Sequence, residues 1–392
     1  MKKSADTVSA EVTSNLVNNK IYFNGGWNGS SSSDFFSLDV SVSFTTNDIA
    51  LMPWTDLSFI PGLIIRSGHA ACMHGTNNNL IVYIGGAMKE TDSNFTSVFD
   101  ITTQKWSIPI TSGNLTSIVR AYIHCVSSGN GIYVYGGGDS VFSMVKLDVS
   151  NFVWSTLPGI MAPLASEGYS ATLLNDTSIL YIGGGQHLRT ANPEFSYLSM
   201  DKLSLYNMND NTWSLVLTSG SIPSPRIDHG AVFIPQYNQI LIFYGSNDNS
   251  IMALDTLKFV WSVAAISNIG GSSSSLYSFS STLVGAYVLI AFGRYNDSVH
   301  PATNNIFLLD VSQKDNYKWV TAYDPTKRLQ PIQPIPTTST STNSSSNIAL
   351  IIGGIFGGLA GLIILITIAV LIVKRYGHPS QLYEQEISKL KQ

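Results

Sequence analysis

Three glycines in a row follow an apolar run in the segment LYIGGGQHL, residues 180–188. Glycines between a strand and a helix can bind phosphate, because the amides of the helix N-terminus then face the ligand. The next residues, QHLRTANPEF, lack a helical period and contain Pro193, so no helix is expected there. Neither glycine-rich nucleotide fingerprint matches this segment. The sequence therefore predicts no nucleotide site at these glycines.

Histidines near the starts of predicted strands are the next residues that could do chemistry. His69, His124 and His229 recur at regular places, and Arg66 and Arg226 precede two of them by three residues. Such regularity favours a structural role over metal binding. The sequence has no G-x-S-x-G elbow, and no paired carboxylates stand out. We therefore predict that the protein is not an enzyme and that it uses no metal or cofactor.

The chain has two cysteines, Cys72 and Cys125, in runs that the pattern predicts as equivalent strands. Two cysteines cannot form a disulfide framework. A bridge needs Cα atoms within about 7 Å, which neighbouring inner strands seldom offer. We expect two small buried hydrophobic side chains rather than a bridge.

The glycines at 183–185 belong to a pattern that repeats along most of the chain. A glycine ends an apolar run at spacings of 47 to 62 residues, and a tryptophan follows each glycine. The glycines are Gly25, Gly85, Gly136, Gly183, Gly245 and Gly293, and the tryptophans are Trp54, Trp106, Trp154, Trp213, Trp261 and Trp319. In five repeats an aspartate ends the apolar run between them, and the fourth repeat has Leu205-Tyr206 instead. These residues are predicted to be structural.

Each repeat contains four short β-type runs, and one four-stranded sheet cannot cover both of its faces. Radial stacking of six such sheets solves this problem. The glycine and tryptophan spacing resembles Kelch-repeat β-propellers over roughly residues 8–325. The resemblance implies an all-β fold, a six-bladed propeller of four-stranded antiparallel blades. Because the first repeat has its own first strand, we expect no C-terminal strand to close the ring and residues 320–330 not to pair with blade one.

The propeller also resembles the central domain of galactose oxidase, a copper enzyme. That chemistry needs two tyrosines, two histidines and a cysteine cross-linked to one tyrosine. Neither Cys72 nor Cys125 has a nearby motif tyrosine. A galactose-oxidase-like copper enzyme is therefore the less favoured interpretation.

The charge distribution excludes one class of partner. Charged residues make up 12% of the chain, the net charge is −4, and the repeats hold no Lys/Arg cluster. A nucleic-acid partner is not expected.

The C-terminal part predicts a membrane protein. Four segments follow from the composition: a propeller over 1–325, a Pro/Ser/Thr-rich stalk over 326–347, a transmembrane helix over 348–373 and a short tail over 374–392. The 26 uncharged residues of the third segment exceed the ~20 that span a bilayer. Gly353, Gly357 and Gly361 recur every four residues and predict helix–helix self-association in the bilayer.

The orientation follows from charges beside the apolar segment. Lys374 and Arg375 follow it directly, whereas the other flank is neutral, so the tail is expected in the cytoplasm and the propeller outside or in the lumen. This topology needs a signal peptide, which the first residues lack, so we expect either an upstream start or exon that is missing from this sequence or a leader that has been removed. The alternative is a tail-anchored scaffold with a cytosolic propeller. Six sequons permit N-glycosylation without deciding the question: Asn28, Asn94, Asn114, Asn175, Asn296 and Asn343.

The predicted function is a membrane-anchored recognition module that binds protein or glycan. Propellers bind through loops at the ends of the channel, because the strands hold these loops in a ring. The candidate loop residues follow the glycines: Trp27, Asp139, Gln186, His187, Arg189, Asp248, Arg294 and Tyr295. The sequence does not distinguish a protein from a glycan.

Overall fold

The computed structural model describes residues 10–331 except 89–94, 115–119, 138–142, 164–166, 188–194, 247 and 297–301. Across this part of the chain, six sheets follow one another and form a ring, and each contains four main antiparallel strands. The predicted six-bladed β-propeller is confirmed.

The first three blades come from the first 156 residues. Blade one contains β1 (Thr13–Val17), β2 (Lys20–Asn24), β3 (Phe35–Asp39), the short β4 (Phe44–Thr45) and β5 (Trp54–Asp56). Blade two contains the short β6 (Arg66–Ser67), β7 (Ala70–His74), β8 (Leu80–Ile84), the short β9 (Ala87–Met88), β10 (Thr96–Asp100) and β11 (Lys105–Ser107). Blade three contains the short β12 (Ser112–Gly113), β13 (Cys125–Ser128), β14 (Gly131–Tyr135), β15 (Met144–Asp148) and β16 (Val153–Thr156).

The last three blades repeat this order of strands. Blade four contains β17 (Glu167–Leu174), β18 (Ser178–His187), the short β19 (Phe195–Tyr197), β20 (Lys202–Asn207) and β21 (Thr212–Leu217). Blade five contains the short β22 (Ser219–Gly220), β23 (Gly230–Ile234), β24 (Gln239–Phe243), β25 (Ile251–Asp255) and β26 (Val260–Val263). Blade six contains the short β27 (Leu276–Tyr277), β28 (Ser280–Val284), β29 (Tyr287–Ala291), the short β30 (Arg294–Tyr295), β31 (Ile306–Asp310), β32 (Lys318–Val320) and the short β33 (Ala322–Tyr323).

Helical structure in the described ranges is limited to three short 3₁₀ turns, Ile49–Leu51, Thr76–Asn78 and Pro235–Tyr237. None of these turns is long or apolar enough to cross a membrane. The apolar segment 348–373 and its three spaced glycines lie outside the described residues, as do the stalk from 332 onward and the tail.

The hydrophobic core lies between the blades. Six clusters of buried side chains are found in the described residues, and each joins two neighbouring blades, including blade six with blade one. Each of the six repeat tryptophans packs in the cluster shared with the preceding blade. Because every cluster needs side chains from two sheets, the blades stabilise one another as the stacked units of a repeat protein do.

The end of each third strand shows why the repeats carry an aspartate there. In blade two the Asp100 carboxylate accepts the backbone N–H groups of Thr102 and Thr103 and so starts the turn into the outer strand. Blade four has the same kind of turn, and the strand register places its turn-starting residue one position later than the sequence pattern indicates. Its equivalent pair is Tyr206-Asn207, and the Asn207 side chain accepts the N–H of Asn209.

The strand register also shows that two repeat glycines lie one residue later in their blades than the sequence pattern indicates. In blade one Leu38 pairs with Ile21, and Gly25 lies four residues after Ile21. In blade five the equivalent Leu254 pairs with Ile240, which places Tyr244, not Gly245, at the position of Gly25. Blade six repeats the shift, with Phe292 at the first position and Gly293 at the second. The expectation that Gly245 and Gly293 match the first glycine is therefore corrected.

This shift shows which of the two positions requires glycine in every blade. At the first position φ lies between 50° and 68° in all blades, and Tyr244 and Phe292 adopt it. At the second position φ lies between 86° and 112°, and all six residues are glycine. The left-handed region near +60° is costly but open to other residues, whereas larger positive φ is reached almost only by glycine. The second glycine is the required one.

The ring closes in part through the C-terminal segment. All four main strands of blade one come from residues 13–56, as expected. However, β33 pairs with β4 in the connection between β3 and β5, and the Tyr323 hydroxyl donates to the carbonyl oxygen of Val40. The Tyr323 ring also stacks on Phe44, with centroids 4.7 Å apart. The prediction that residues 320–330 do not pair with blade one was wrong.

The two cysteines form a disulfide between blades two and three, with Cα atoms 6.0 Å apart. The prediction of two unbridged cysteines was wrong because they are not at equivalent positions. Cys72 pairs with the residue three before the first glycine of its blade, and Cys125 with the residue two before. Side chains alternate between the faces of a strand, so this offset points the two sulfur atoms to opposite faces, and hence toward each other.

Candidate binding site at the channel mouth

One residue from each blade forms a ring around the channel, at or near the start of the first strand of the blade. The six residues are Glu11, Gly68, Tyr122, Gly168, Asp228 and Ser278, and all have φ between 53° and 65°. Five of the six donate their backbone N–H to the carbonyl oxygen of the ring residue in the preceding blade, at 2.7–2.9 Å. Because the backbone at these residues is left-handed, their N–H groups point along the ring toward the preceding blade. We call this set the axial ring.

A cavity of about 220 Å³ lies on the channel axis at the axial ring. Its wall consists of the axial ring and the first residues of the inner strands β1, β7, β13, β17, β23 and β28, so every blade contributes. Each inner strand has one sheet neighbour, and its other edge carries main-chain groups that are free of the sheet. The cavity also lies at the end where the second strands reach their glycines, which is the end that carries the candidate loops.

Arg294 connects the loop of blade six to the axial ring. Its guanidinium lies 3.9 Å from the centre of the Trp27 ring, and its Nη2 lies 3.5 Å from Oε1 of Glu11. A guanidinium over an indole face is a favourable cation–π contact. These contacts bring two predicted loop residues, Trp27 and Arg294, to the same side of the cavity.

Two carboxyl groups line the cavity, those of Glu11 and Asp228. Desolvation by burial, followed by the charges of Glu11 and Glu167, raises the pKa of Asp228 to about 6, while a hydrogen bond from Ser278 and the charge of Arg294 act in the opposite direction. Burial also raises the pKa of Glu11, although a hydrogen bond from Ser67 and the charge of Arg294 act in the opposite direction. Burial is the largest cause of both shifts, and neighbouring carboxylates raise the pKa only at Asp228.

His69 and His229 hold neighbouring blades together. Their Nε2 atoms lie 3.0 Å from the hydroxyl oxygens of Thr13 and Ser170, each on the inner strand of the preceding blade. Burial lowers the pKa of both imidazoles, that of His229 to about 3, so both are neutral at physiological pH. No described group bonds to their Nδ1 atoms. His124 lies one residue out of this register, and all three histidines line the cavity.

Arginines that precede these strands are structural as well. Arg66 and Arg226 are almost fully buried, and the sequence reading missed a third, Arg120, at the equivalent position of blade three. The Nη1 atom of each donates to the carbonyl oxygen at the first glycine position of its own blade, at 2.9–3.1 Å. Their own carbonyl oxygens accept the second-glycine N–H of the preceding blade, at 2.7–3.3 Å.

The other predicted loop residues have different surroundings. Asp248 accepts from the Arg226 guanidinium and the Ser224 hydroxyl, which ties it to the blade. The Tyr295 hydroxyl lies 2.8 Å from Nδ2 of Asn305, and Gln186 is half-buried with no described partner for its Oε1. Asp139 and Arg189 lie outside the described residues, and the side chain of His187 does too.

The sequence reading did not find the acidic members of the cavity, Glu11 and Asp228. The signal that could have revealed them is the axial-ring position itself. Two repeats have glycine there, Gly68 and Gly168, which marks a left-handed backbone near the start of the first strand. Aligning the repeats on that position would have brought the carboxylates together.

Comparisons with known proteins agree with this architecture. The family described as "Attractin/LZTR1 beta-propeller" matches residues 80–364, more than half of the chain. The chain belongs to the attractin/LZTR1 β-propeller family. The match begins at β8 and continues beyond the described residues.

Relatives of this attractin/LZTR1-type propeller include Kelch proteins. The acyl-CoA-binding domain-containing protein 4 of Arabidopsis thaliana is 25% identical over 324 residues, which cover 79% of this chain and 46% of the relative. The Kelch domain-containing protein 1 of Mus musculus is 28% identical, over 41% of this chain and 38% of the relative. The chain thus spans about half the length of the curated relatives it matches. Together with the fold, these relatives confirm a Kelch-type propeller.

A solved structure shares the fold. The structure of YjhT superimposes with a TM-score of 0.57 and 13% identity, over 79% of this chain and 97% of that one. Identity this low shows the fold alone.

The two cysteines also bear on the copper-enzyme alternative. The attractin/LZTR1-type propeller has no other cysteine, and both are joined to each other. The cysteine–tyrosine link of the galactose oxidase centre therefore has no cysteine available. Among the described residues, no group of three or more His, Cys, Asp or Glu side chains is placed to hold a metal ion.

Asp228 gives the attractin/LZTR1-type propeller a stability that depends on pH. Its folded pKa of about 6 lies above the ordinary 3.8, so the folded state binds more protons between these values and stability falls as the pH rises through them. We expect Asp228→Asn to stabilise the protein by about 1–2 kcal/mol at pH 7.5 and to have no effect near pH 3.5. Chemical denaturation at the two pH values measures this difference.

A matched control for this prediction is Asp315→Asn. Asp315 is exposed, has a similar φ of 57° and lies in the β31–β32 turn, at the opposite end of the blade. We expect no comparable gain there. An equal gain from both substitutions, or a gain at Asp228 that persists near pH 3.5, would contradict the assignment.

Proposed function

We propose that this protein is a membrane-anchored, non-enzymatic recognition module that displays the channel mouth outside the cell or in the secretory lumen. A Kelch-type propeller with Kelch relatives is typical of an interaction module. The candidate face is the glycine end, where the loops surround the cavity and Trp27, Arg294 and Glu11 contact one another. The anchor is the apolar segment 348–373 of the sequence.

The disulfide is the observation that supports the orientation most directly. Disulfides persist in oxidising compartments and are rare in the cytosol. Cys72 and Cys125 face each other from neighbouring blades, and Cys72 is buried. A cytosolic tail-anchored scaffold would keep these thiols reduced. The exposed sequons Asn28, Asn114, Asn175 and Asn296 are compatible with a lumenal propeller.

The topology is tested on the full-length protein in eukaryotic cells. We expect a gel shift after N-glycosidase treatment, and a smaller shift for Asn175→Gln because that sequon lies in an exposed turn. A C-terminal tag should be digested by protease in intact microsomes, while the propeller is protected. An unshifted band with a protected tag and a digested propeller would overturn the proposal in favour of the cytosolic scaffold.

A further inference from the structure

The outer strand of blade four differs from the outer strands of the other blades. β21 has six residues, whereas the other five outer strands have three or four. It continues for four residues after its repeat tryptophan, Trp213, and Leu215 and Leu217 lie on the same face as that tryptophan. Trp213 is buried, but Leu215 is 61% exposed and Leu217 is 71% exposed. Two large apolar side chains of this strand therefore face solvent.

The outer edge of β21 is open in the described part of the chain. In blades three and five, a short parallel strand from the preceding linker covers part of the equivalent edge, since β12 pairs with β16 and β22 pairs with β26. Among the described residues, no strand and no backbone hydrogen bond covers β21 in this way.

The linker before blade four explains the open edge. Leu157 and Thr218 end blades three and four in the same way, because each donates its N–H to a carbonyl oxygen at the start of the third strand of its own blade. The residue after Thr218 is Ser219, which donates its N–H to the outer strand of blade five and begins β22. The residue after Leu157 is Pro158, which has no N–H to donate. The linker therefore cannot begin a covering strand at this place.

The blades whose outer edges are covered show which backbone groups β21 presents. The carbonyl oxygens of Trp154 and Trp261 accept N–H groups from the covering linkers, so they point away from their blades. Trp213 pairs within its blade as these two tryptophans do, so its carbonyl group points outward as well. Because residues alternate along a strand, the N–H and C=O groups of Leu215 and Leu217 also point outward.

These features restrict what can cover the edge. Natural edge strands are usually short, charged, interrupted by proline or covered, but the sequence of β21, TWSLVL, has no charge, proline or glycine. A matching occupant is an extended, uncharged segment with apolar side chains at alternate positions and a free edge of its own. Among the described outer strands, β21 alone combines these properties. β16 and β26 are covered, and the three-residue strands β5, β11 and β32 contain Asp56, Lys105 and Lys318.

We propose that two copies of this protein pair along β21 in antiparallel orientation. A two-fold axis at Leu215 places this residue opposite its own copy and Trp213 opposite Leu217 of the second copy. Each of these pairs exchanges two hydrogen bonds, so the contact contains about six, and the sheets of the two fourth blades become continuous. Antiparallel pairing turns the second propeller over, so the two channel mouths face opposite directions and both stay open. The contact is separate from the channel mouth and does not depend on the ligand bound there.

The first test measures the mass of the full-length protein in detergent by light scattering at micromolar concentration. We expect a dimer for the wild type and at least tenfold weaker dimerisation for Leu215→Lys, because two like charges would then lie directly opposite each other. The matched control is Val263→Lys. Val263 is 68% exposed and lies two residues after Trp261, as Leu215 lies two residues after Trp213. A monomeric wild type, or equal effects of the two substitutions, would overturn the proposal.

The second test locates the contact by cross-linking. Opposite Cα atoms in a hydrogen-bonded antiparallel pair lie about 5.5 Å apart, which is within the range of a disulfide. Cys72 and Cys125 are joined to each other, so the new thiol of Leu215→Cys is the only free one in the chain. Oxidation is expected to give a covalent dimer of Leu215→Cys on a non-reducing gel and to leave Val263→Cys monomeric. A dimer without a cross-link at residue 215 would be held by another surface, such as the apolar segment 348–373, and would refute the edge contact.

Discussion

Gly293→Ala is expected to destabilise the propeller by about 4 kcal/mol. The backbone at Gly293 has φ 97°, outside the region that other residues commonly use. An added Cβ would lie 2.7 Å from Cβ of Phe279 and 2.9 Å from the carbonyl oxygen of Tyr277, so the start of β28 must move. Backbone strain of 1–3 kcal/mol and overpacking of 1–3 kcal/mol combine to about this value. Urea denaturation with an unchanged m-value measures it.

Gly129→Ala is the matched control for this substitution. Gly129 also has positive φ, 55°, but no atom lies within 4 Å of an added Cβ there. Its expected cost is about 1 kcal/mol, the cost of a left-handed alanine without a clash. If both substitutions cost the same, neither the contacts with Phe279 and Tyr277 nor the larger φ adds a cost, and the claim that the second position requires glycine fails.

Removing the disulfide is the other large effect. Cys72 and Cys125 are 53 residues apart, and a loop of that length gives about 4 kcal/mol in the chain-entropy account of cross-links. The double substitution of both cysteines by alanine is expected to lose about 3–4 kcal/mol of unfolding free energy. Alanine is chosen because a serine hydroxyl would be placed in the apolar cluster between blades two and three.

Reduction provides the internal control. The wild-type protein unfolded and refolded with reductant should match the double variant, and reductant should not change the variant itself. Alkylation of the oxidised, denatured protein should label neither cysteine. Two labelled thiols, or equal stability of the wild-type and double-variant proteins, would show that no bridge forms in solution.

The sequence by itself determined the blade. The strands, the turn after each third strand and the tryptophan of each outer strand are local features that recur in every repeat, so six weak signals support one another. The prediction of six blades succeeded for this reason. The sequence pattern could not place Gly245 and Gly293, because one glycine in a pair looks the same at the first or second position. Only strand pairing decides that register.

The tertiary structure decided what happens between blades. Whether Cys72 meets Cys125 depends on an offset of one residue, because side chains alternate on a strand and a one-residue change reverses the face. The pairing of β33 with β4 depends on closing a ring over more than 270 residues, which no local pattern records. The cavity has the same origin. Glu11 and Asp228 lie far apart in the chain, and they meet because a ring of six blades brings the start of every inner strand to one axis.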